Sequence, residues 1–589
     1  MTKLVKPFIG GQSSLGHTKS EGDQEALIDT AYLHHVELYA ATILPGEPSG
    51  YLDAVEGENK EHWLAAMNEE ISSLEGRGTW EVVPRPESRR VVGCKWVYRI
   101  KLNASRQISR YKARLVARGF TQILGLDYNE TYAPVTRLET IRLIFGIAVE
   151  KDWEIHQVDV KSAYLYGDLD EEIFMEPPPG YDVPRGLVLR LKKALYGLKQ
   201  AGRQWYRELK STLTKFGLTE VPCDPHTFVC HKTVKGKKCT LIIPIYVDDL
   251  LPVGDKVLTD EFETWIGSYY DVTVIGDASY FLGIRVTRTR DAEIPALYLD
   301  QLNYTRIVLE RFNVQGDGGP NTPLPQDESE LIPNTGQATR TQIHGYQRCI
   351  GSLMYLMMGT RPDIAYAVGK LSRFASNPSD AHFAALNRTL FYINNTNHFY
   401  LKYIQQNKGS AINPEGYVNS DYAGDESNRR SVSGYVYFIA DCVFSWHSKQ
   451  QSVVATSSAQ AEYIALFEAT QQVLWLNSMY QQFGLTLPDP IEIYCDSQSA
   501  LAMAKGEHVH KAAKHIDVKI HAVRERVTRK QFAPLWISTL ENFADVMTKS
   551  LPYDDFVTFV QTCRLTPSIG DPIDDSVDDT TQYIDAMES

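Results

Sequence analysis

The chain has 589 residues, 43% of them hydrophobic, and a formal net charge of −13. That length predicts two to four domains, and the apolar run LIIPIYV at 241–247 falls far short of the roughly 18 residues a membrane span needs, so a soluble intracellular protein with no membrane partner is expected. Eight scattered cysteines without a C-x-x-C pair exclude a disulfide framework and a zinc ribbon and leave reduced thiols as the default.

Residues 1–50 are weakly patterned and read as a flexible lead-in. The first periodic element is a helix over 59–75, where Trp63, Met67, Ile71 and Leu74 share a face and Gly76 marks the stop. The stretch GCKWVYRIKLNASRQISRYKARLVARG then reads as a long β-hairpin turning at Asn103–Arg106. Residues 89–118 hold ten Lys or Arg and no acid, and residues 190–215 hold eight against the single Glu208. Stripes this uniform predict a polyanionic partner whatever the net charge, which is skewed by seven acids in the tail 571–589.

A helix over about 136–150, with Leu138, Ile141, Phe145 and Ala148 on one side, leads into the strand IHQVDV and its terminal carboxylate, Asp159. Cys223, His226, Cys230 and His231 cluster without a zinc spacing and are set aside as ligands. About ninety residues after Asp159 the run PIYVDDLL places Asp248 and Asp249 between two strands. Residues 318–340, rich in Gly, Pro, Asn and Gln, suggest a linker, and 346–400 look helical. From about 413 come strands at YVNSD, SGYVYFI and VFSWHS, a long helix from 457, the strand IEIYCD, helices, the strand PLWI and a last helix from about 541. That order predicts one compact α/β domain.

Asp159 and Asp248 each close a strand, and adjacent strand ends in one sheet would bring them to the same cation. Two carboxylates with a third beside them suit hard Mg²⁺, and a pair of such ions suits in-line phosphoryl chemistry. QVDVKSAYL, YVDDLL, LYGLKQAGRQWY, KWVYRIK, RYKARLVARGFTQ and FLGIRV, in that family's order and spacing across about residues 50–405, resemble the reverse transcriptase of copia-like LTR retrotransposons. The resemblance implies a right-hand polymerase fold with fingers, palm and thumb, and a catalytic triad of Asp159, Asp248 and Asp249, with the Val160 carbonyl as a further metal ligand. It implies that Tyr164 lies under the incoming sugar and that Gln200 lies near the nucleotide's sugar and phosphates. Lys112 and Arg114 are placed to grip the triphosphate, with generic template contact as the alternative.

The C-terminal α/β domain resembles the ribonuclease H joined to such a polymerase through NSDYAGD, SSAQAEYIAL, YCDSQSA and ENFADVMTK. The resemblance implies a second metal pair held by Asp421, Glu462, Asp496 and Asp545. The residues agree, since Asp421 and Asp496 end strands while Glu462 and Asp545 fall in early turns of helices. Ser457-Ser458-Ala459-Gln460 forms a capping box for the helix bearing Glu462. In HVHKAAKHIDVKIH, the face Ile516, Ile520, Val523 and Val527 is expected to be buried, leaving Lys514, Asp517, His521 and Arg524 outside. Phosphate-backbone contacts by Lys514, His521 and Arg524 are preferred there over a zinc site.

Pro244, Pro252, Gly202 and YINNT depart from the family pattern, and the prolines predict a hairpin that aims Asp248 and Asp249 poorly. Protease, zinc-knuckle and integrase signatures are absent from the sequence, which suggests the C-terminal part of a pol polyprotein. The expected organisation is a lead-in at 1–50, a reverse transcriptase at 51–345, a helical connection at 346–412, a ribonuclease H-like domain at 413–553 and an acidic tail at 554–589. The expected activity is RNA-directed DNA synthesis with cleavage of the RNA of the hybrid. Mg²⁺ (Mn²⁺ as a substitute), RNA template, DNA primer, RNA–DNA hybrid, deoxynucleoside triphosphates and other pol products are the expected cofactor and partners. The family implies cytoplasmic particles, with the nucleus as an alternative. Two rival readings are a decayed copy that only binds nucleic acid and a nuclease on a non-catalytic polymerase-like platform.

Overall fold

The computed structural model describes residues 46–565 apart from 103–107, 132, 134–135, 317, 407–411, 488–489 and 507–516. The fold is mixed α/β and multidomain, as its sheets show. The helix Lys60–Gly76 buries Trp63, Met67 and Leu74 against the basic hairpin Cys94–Leu102 and Ile108–Ala117, whose Trp96, Tyr98 and Leu115 meet it in one apolar cluster. Trp63 packs edge-on to both Tyr98 and Tyr111. Beside this unit lies a four-stranded sheet that includes Trp80–Pro84 and Leu187–Lys193.

The sheet that positions the first acids is built around the strand Glu154–Val160. It is flanked by Asp249–Leu250 and Val253–Gly254 on one side and by Val272–Asp277 on the other. Helices Ala201–Phe216 and Lys256–Ile266 cover one face through Trp205, Leu209, Leu213 and Phe262. The helix Leu138–Lys151 covers the other face, and it is buried all round rather than on one side. The reason is a second partner. Arg142 Nε donates to the Phe444 carbonyl at 2.6 Å, its guanidinium lies 3.9 Å over the Trp446 ring, and Gln472 donates to Glu139 at 3.1 Å. The approach is so close that a Cβ on Gly146 would lie 2.6 Å from Ile439 Cγ2. One apolar core therefore runs from this helix into the C-terminal domain.

That domain is a five-stranded sheet in the order Cys442–Gln450, Val432–Ile439, Glu415–Asp421, Ile491–Cys495, Phe532–Trp536. The first three strands are antiparallel, and the last two pair in parallel. The helix Ser458–Gln482 packs across it, burying Tyr463, Leu466, Val473 and Leu476.

Several sequence expectations change here. Residues 318–339 contain no helix or strand, yet they are a packed strap: Leu324 and Leu331 are buried, and Glu328 binds Tyr366 and Lys370. Composition reported the missing regular structure but not these two anchors. Asp545 sits in the 3₁₀ turn Phe543–Met547 rather than in an α-helix. The stretch read as the start of an acidic tail forms the helix Tyr553–Thr562, because Phe556, Phe559 and Val560 sink into the core beneath Asp554 and Asp555. Residues 571–589 lie outside the described residues. YINNT ends the helix Asp380–Asn395, where Tyr392 donates to Asp363 and Arg361 binds the Thr396 carbonyl, so the departure is absorbed into a satisfied buried network. Gly202 lies in the first turn of its helix, where a proline would have cost no hydrogen bond.

Candidate active sites

Strand register assembles the first cluster. Asp159 and Asp249 are cross-strand partners, and the Val160 amide donates to the Asp248 carbonyl at 2.9 Å. The turn between the strands Lys237–Tyr246 and Asp249–Leu250 carries Val247 at φ 54°, a left-handed conformation that a β-branched residue resists, and Trp205 Nε1 fixes it by donating to the Val247 carbonyl at 2.5 Å. Asp248 is buried, and its Oδ1 has no hydrogen-bond partner. Burial, and next the adjacent Asp159, push its carboxyl up to about 7, while Arg114 and Lys112 pull the other way. A buried carboxylate oxygen without a donor, beside two further carboxylates, is the donor set a hard divalent cation fits.

The prolines leave this register intact. Ile245 faces Leu250 on one side of Pro244 and Ile242 faces Val253 on the other in the same register, with the pairing interrupted at residues 251–252 between them. The Pro244 and Pro252 carbonyls still accept from the Leu251 and His156 amides at 3.1 and 2.9 Å. Pro244 withdraws a donor from the strand Lys237–Tyr246, and Pro252 lies in the gap between Asp249–Leu250 and Val253–Gly254. The expected loss of ladder pairing is thus seen as a gap at the prolines, across which the register is kept.

A cavity of about 670 Å³ opens above the acids. It is lined by Asp159, Val160, Asp248 and Asp249 below and by Lys112 and Arg114 of the basic hairpin above. Neither of the two remaining nucleotide-site residues lines this cavity. Gln200 is buried, accepting from Gln122 at 3.1 Å and donating to the Asp127 carbonyl at 2.8 Å, so it braces the 119–128 loop outside the cavity. Tyr164 is not in the cavity wall either. It packs edge-on against Tyr196 at 4.9 Å, and Tyr196 is the lining aromatic. Gln157, whose amide donates to Asp249 Oδ1 at 3.1 Å, was missed too, although its place two residues before Asp159 puts it on the same strand face.

The second cluster is drawn from four elements. Asp421 ends the strand Glu415–Asp421, Asp496 follows Ile491–Cys495, Glu462 lies in the helix Ser458–Gln482, and Asp545 lies in its 3₁₀ turn. Ligand atoms of Glu462, Cys495 and Asp496 lie within 4.8 Å of one another. Glu462 Oε2 is buried without a partner, and burial followed by Asp496 holds its carboxyl well above the usual range. Burial also raises Asp421 and Asp545, and Lys549, 2.8 Å from Asp545 Oδ2, offsets part of the latter. Asn419 donates to Asp545, and Thr539 donates to Asp496 at 2.8 Å. Gly424 is pressed against the site, since a Cβ there would fall 1.6 Å from Asp421 Oδ2. Ser457 caps the Glu462 helix as expected, but Gln460 reaches back to Thr456 rather than Ser457.

The expected nucleic-acid face is only partly described. Lys514 and Ile516 lie outside the described residues. His521 is exposed on the helix Asp517–Thr528, but Arg524 donates to the Met503 carbonyl at 2.8 Å. The basic stripe 190–215 is corrected as well. Lys192 meets Glu81 at 2.8 Å, Lys193 meets Asp168 at 2.7 Å, Arg203 meets Glu130 at 2.6 Å, and Arg207 and Lys210 pair with Asp170 and Glu220. Charges segregated along the chain are mixed in space. Cys223, His226, Cys230 and His231 do not converge, because Cys223 meets Met479, His226 stacks on Tyr206 and His231 binds Thr240.

Residues 77–326 match the family described as reverse transcriptase (RNA-dependent DNA polymerase). Over 87% of its length the chain is 38% identical to the retrovirus-related Pol polyprotein from transposon TNT 1-94 of Nicotiana tabacum, of which it covers 38%. It is 36% identical to that from transposon RE1 of Arabidopsis thaliana, again over 87% of its length and 35% of the relative. The chain thus spans less than two fifths of these relatives. Among solved structures, LC11-RNase H1 in complex with RNA/DNA hybrid matches 23% of this chain and 93% of its own at 15% identity and a TM-score of 0.19. With a reverse transcriptase domain and this similarity over most of its length, the chain belongs to the copia-type retrotransposon Pol polyproteins, of which it spans a part.

Proposed function

We propose that the chain is an RNA-directed DNA polymerase with ribonuclease H activity that copies retrotransposon RNA into DNA. The observation that carries this reading is the buried, unpartnered Asp248 Oδ1, set in register beside Asp159 and beneath a cavity roofed by Lys112 and Arg114. Asp159, Asp248 and Asp249, with the Val160 carbonyl, would hold Mg²⁺, with Mn²⁺ as a substitute. Asp421, Glu462, Asp496 and Asp545 would hold a second set. Bound divalent ions supply the charge neutralisation that in-line phosphoryl transfer needs at the attacking and leaving oxygens. The protein's own part is positional: the sheet fixes the acids and the basic hairpin holds the triphosphate. The intact strand register supports this reading over a decayed copy that only binds nucleic acid.

The substrates are then an RNA template, a DNA primer, deoxynucleoside triphosphates and the resulting RNA–DNA hybrid. Other pol products would be partners, and cytoplasmic particles the expected setting, with the nucleus as the alternative. The test is primer extension on RNA and on DNA by the purified chain with Mg²⁺, alongside cleavage of a labelled hybrid. Template-dependent extension with deoxynucleotides is expected. Hybrid cleavage without any extension would leave only the nuclease half of the proposal standing.

A further inference from the structure

We infer that Arg373 and Glu328, which lie outside the five-stranded domain, are positioning residues for its acid cluster, Arg373 acting on Asp421 through Asp425 and Glu328 acting on Asp545 through Ser550 and Lys549. This deepens the nuclease half of the proposed function and rests on it. Asp421 is the last residue of its strand, and the chain must turn at once: Ala423 takes φ 55°, and Gly424 presses on the Asp421 carboxylate. The loop is organised around Asp425. Its Oδ1 accepts from the Ser427 amide at 3.0 Å and the Ser427 hydroxyl at 2.5 Å, while its Oδ2 accepts from Gln450 Nε2 at 2.7 Å and from Arg373 Nη1 at 3.3 Å. Arg373 follows directly on the helix Ala365–Ser372, so its guanidinium carries a charge from the helical connection into this loop. Both side chains of the pair are mostly shielded from solvent, and removing one partner of such a pair strands the other charge.

The second tie starts in the packed strap 318–339. Glu328 Oε1 accepts from Ser550 Oγ at 2.5 Å, and its Oε2 accepts from the Tyr366 hydroxyl at 2.9 Å and meets Lys370 Nζ at 3.3 Å. Ser550 adjoins Lys549, whose Nζ lies 2.8 Å from Asp545 Oδ2, so the strap holds the segment that carries this ion pair. Lys370 and Arg373 stand one helical turn apart, and a single helix end therefore serves both ties. Burial would raise the Asp425 carboxyl, but Ser427 and Gln450, and after them Arg373, bring it down to about 2, so its pair with Arg373 is charged at any working pH. Burial also raises Asp421, and Lys370 comes first among the charges that draw it back. Asn419 and Thr539 hold the acids from within the α/β domain, whereas Arg373 and Glu328 hold them from outside. A cluster that converges by packing depends on such supports, because a displacement of about 1 Å can cost roughly a hundredfold in rate.

The test uses the full chain with a labelled RNA–DNA hybrid in Mg²⁺, measuring kcat and KM for hybrid cleavage, hybrid Kd, primer extension and melting temperature. Arg373→Met removes the charge at similar length and is expected to lower kcat for cleavage by about 10- to 100-fold, with KM, Kd and extension held within about twofold. Glu328→Gln keeps the shape, weakens the contacts to Lys370 and Ser550, and should lower the same kcat by about 3- to 10-fold. Arg373→Lys should recover most of the rate. Asp425→Asn should match Arg373→Met, and the two together should cost no more than either alone, as for one linked path. The rise in melting temperature that Mg²⁺ produces should shrink in Arg373→Met and Glu328→Gln, since displaced acids bind the ion less tightly. Should Arg373→Met fail to fold, Asp425→Asn and Glu328→Gln decide. Cleavage and extension that fall together with the melting temperature would overturn the inference, because the residues would then support only the shared core. A wild type that cleaves the hybrid, with every folded variant within about twofold of it, would also overturn the inference and leave the nuclease reading intact. A wild-type chain that binds the hybrid but cleaves nothing would overturn both.

Discussion

The two acid clusters are built in opposite ways. Asp159 and Asp249 face each other across one strand pair, and Asp248 sits in the turn beside them, so backbone register alone brings the three together. Asp421, Glu462, Asp496 and Asp545 come from two strand ends, a helix and a 3₁₀ turn, and their convergence depends on side-chain packing. Asn419, Thr539 and Lys549 tie them down, and Gly424 leaves the space Asp421 needs. Register is a discrete constraint that tolerates lost hydrogen bonds. Packing is a continuous one that fails by degrees. The first cluster should therefore be robust to changes nearby, and the second sensitive to them.

The largest expected effect separates the clusters outright. Asp248→Asn removes a charge that no neighbour can replace and should lower extension by at least about a thousandfold while hybrid cleavage persists. Glu462→Gln should do the reverse. If either substitution in a folded protein abolished both activities, the two clusters would not be independent sites, and the shared core through the helix Leu138–Lys151 would have to couple them.

A more moderate loss should follow from Gly424→Ala. The added carbon cannot share space with Asp421 Oδ2, so the carboxylate must turn away, and a displacement of about 1 Å can cost roughly a hundredfold in rate. Hybrid cleavage should fall by about 10- to 100-fold while extension is untouched. Unimpaired cleavage would show that the packed cluster has slack, and the contrast with the first cluster would weaken.

This difference also sets what could be read from the chain. The first triad was legible because two short strands and a turn carry it, and the acids' order along the strands is their order in space. The second was legible only as four acids in sequence, since nothing local announces that Asp545 occupies a 3₁₀ turn or that Asn419 donates to it. Contacts that depend on a distant partner leave no mark in the local sequence. Gln200 is a brace because Gln122 and Asp127 fold over it, and the cavity aromatic is Tyr196 because the hairpin reaches it. The basic stripe 190–215 lost its apparent meaning once Glu81, Asp168, Glu130, Asp170 and Glu220 arrived from other elements. The strap 318–339 shows the converse, a run without regular structure whose two buried leucines make it part of the core.

A smaller effect concerns stability and pH. Burial, with Asp159 beside it, lifts Asp248 to about 7. The folded, metal-free chain thus keeps a proton that the unfolded chain releases near its ordinary value of about 4, so this group's contribution to stability falls as pH rises from about 4 to about 7. Asp248→Asn removes that slope. In chelator, its melting temperature should exceed that of the wild type by several degrees above about pH 7, and the gap should close near pH 4. Added Mg²⁺ should narrow the gap at high pH by stabilising the wild type alone. Melting curves that stay parallel at every pH would mean that Asp248 is ionised without cost, and that the first cluster holds no strain for a cation to relieve.

The smallest effect tests the robustness of register most directly. Pro244 sits in the central strand Lys237–Tyr246 and Pro252 in the gap between Asp249–Leu250 and Val253–Gly254; the pairing is interrupted there, yet its register is the same on either side and both carbonyls still accept. Replacing both with valine, close in volume and a good strand former, supplies the two missing amides without altering which residues face each other. Each restored hydrogen bond should add about 0.5–1.5 kcal/mol of stability. Because Asp159, Asp248 and Asp249 already occupy their places, extension should change by no more than about twofold, with hybrid cleavage as the internal reference. A tenfold gain in extension alone would show that the prolines do displace the acids, and that register fixes which residues meet but not how well they are aimed. A stability gain without a rate gain would show that a ladder can lose donors beside an active site and still hold its carboxylates, because pairing between whole strands over-determines their position.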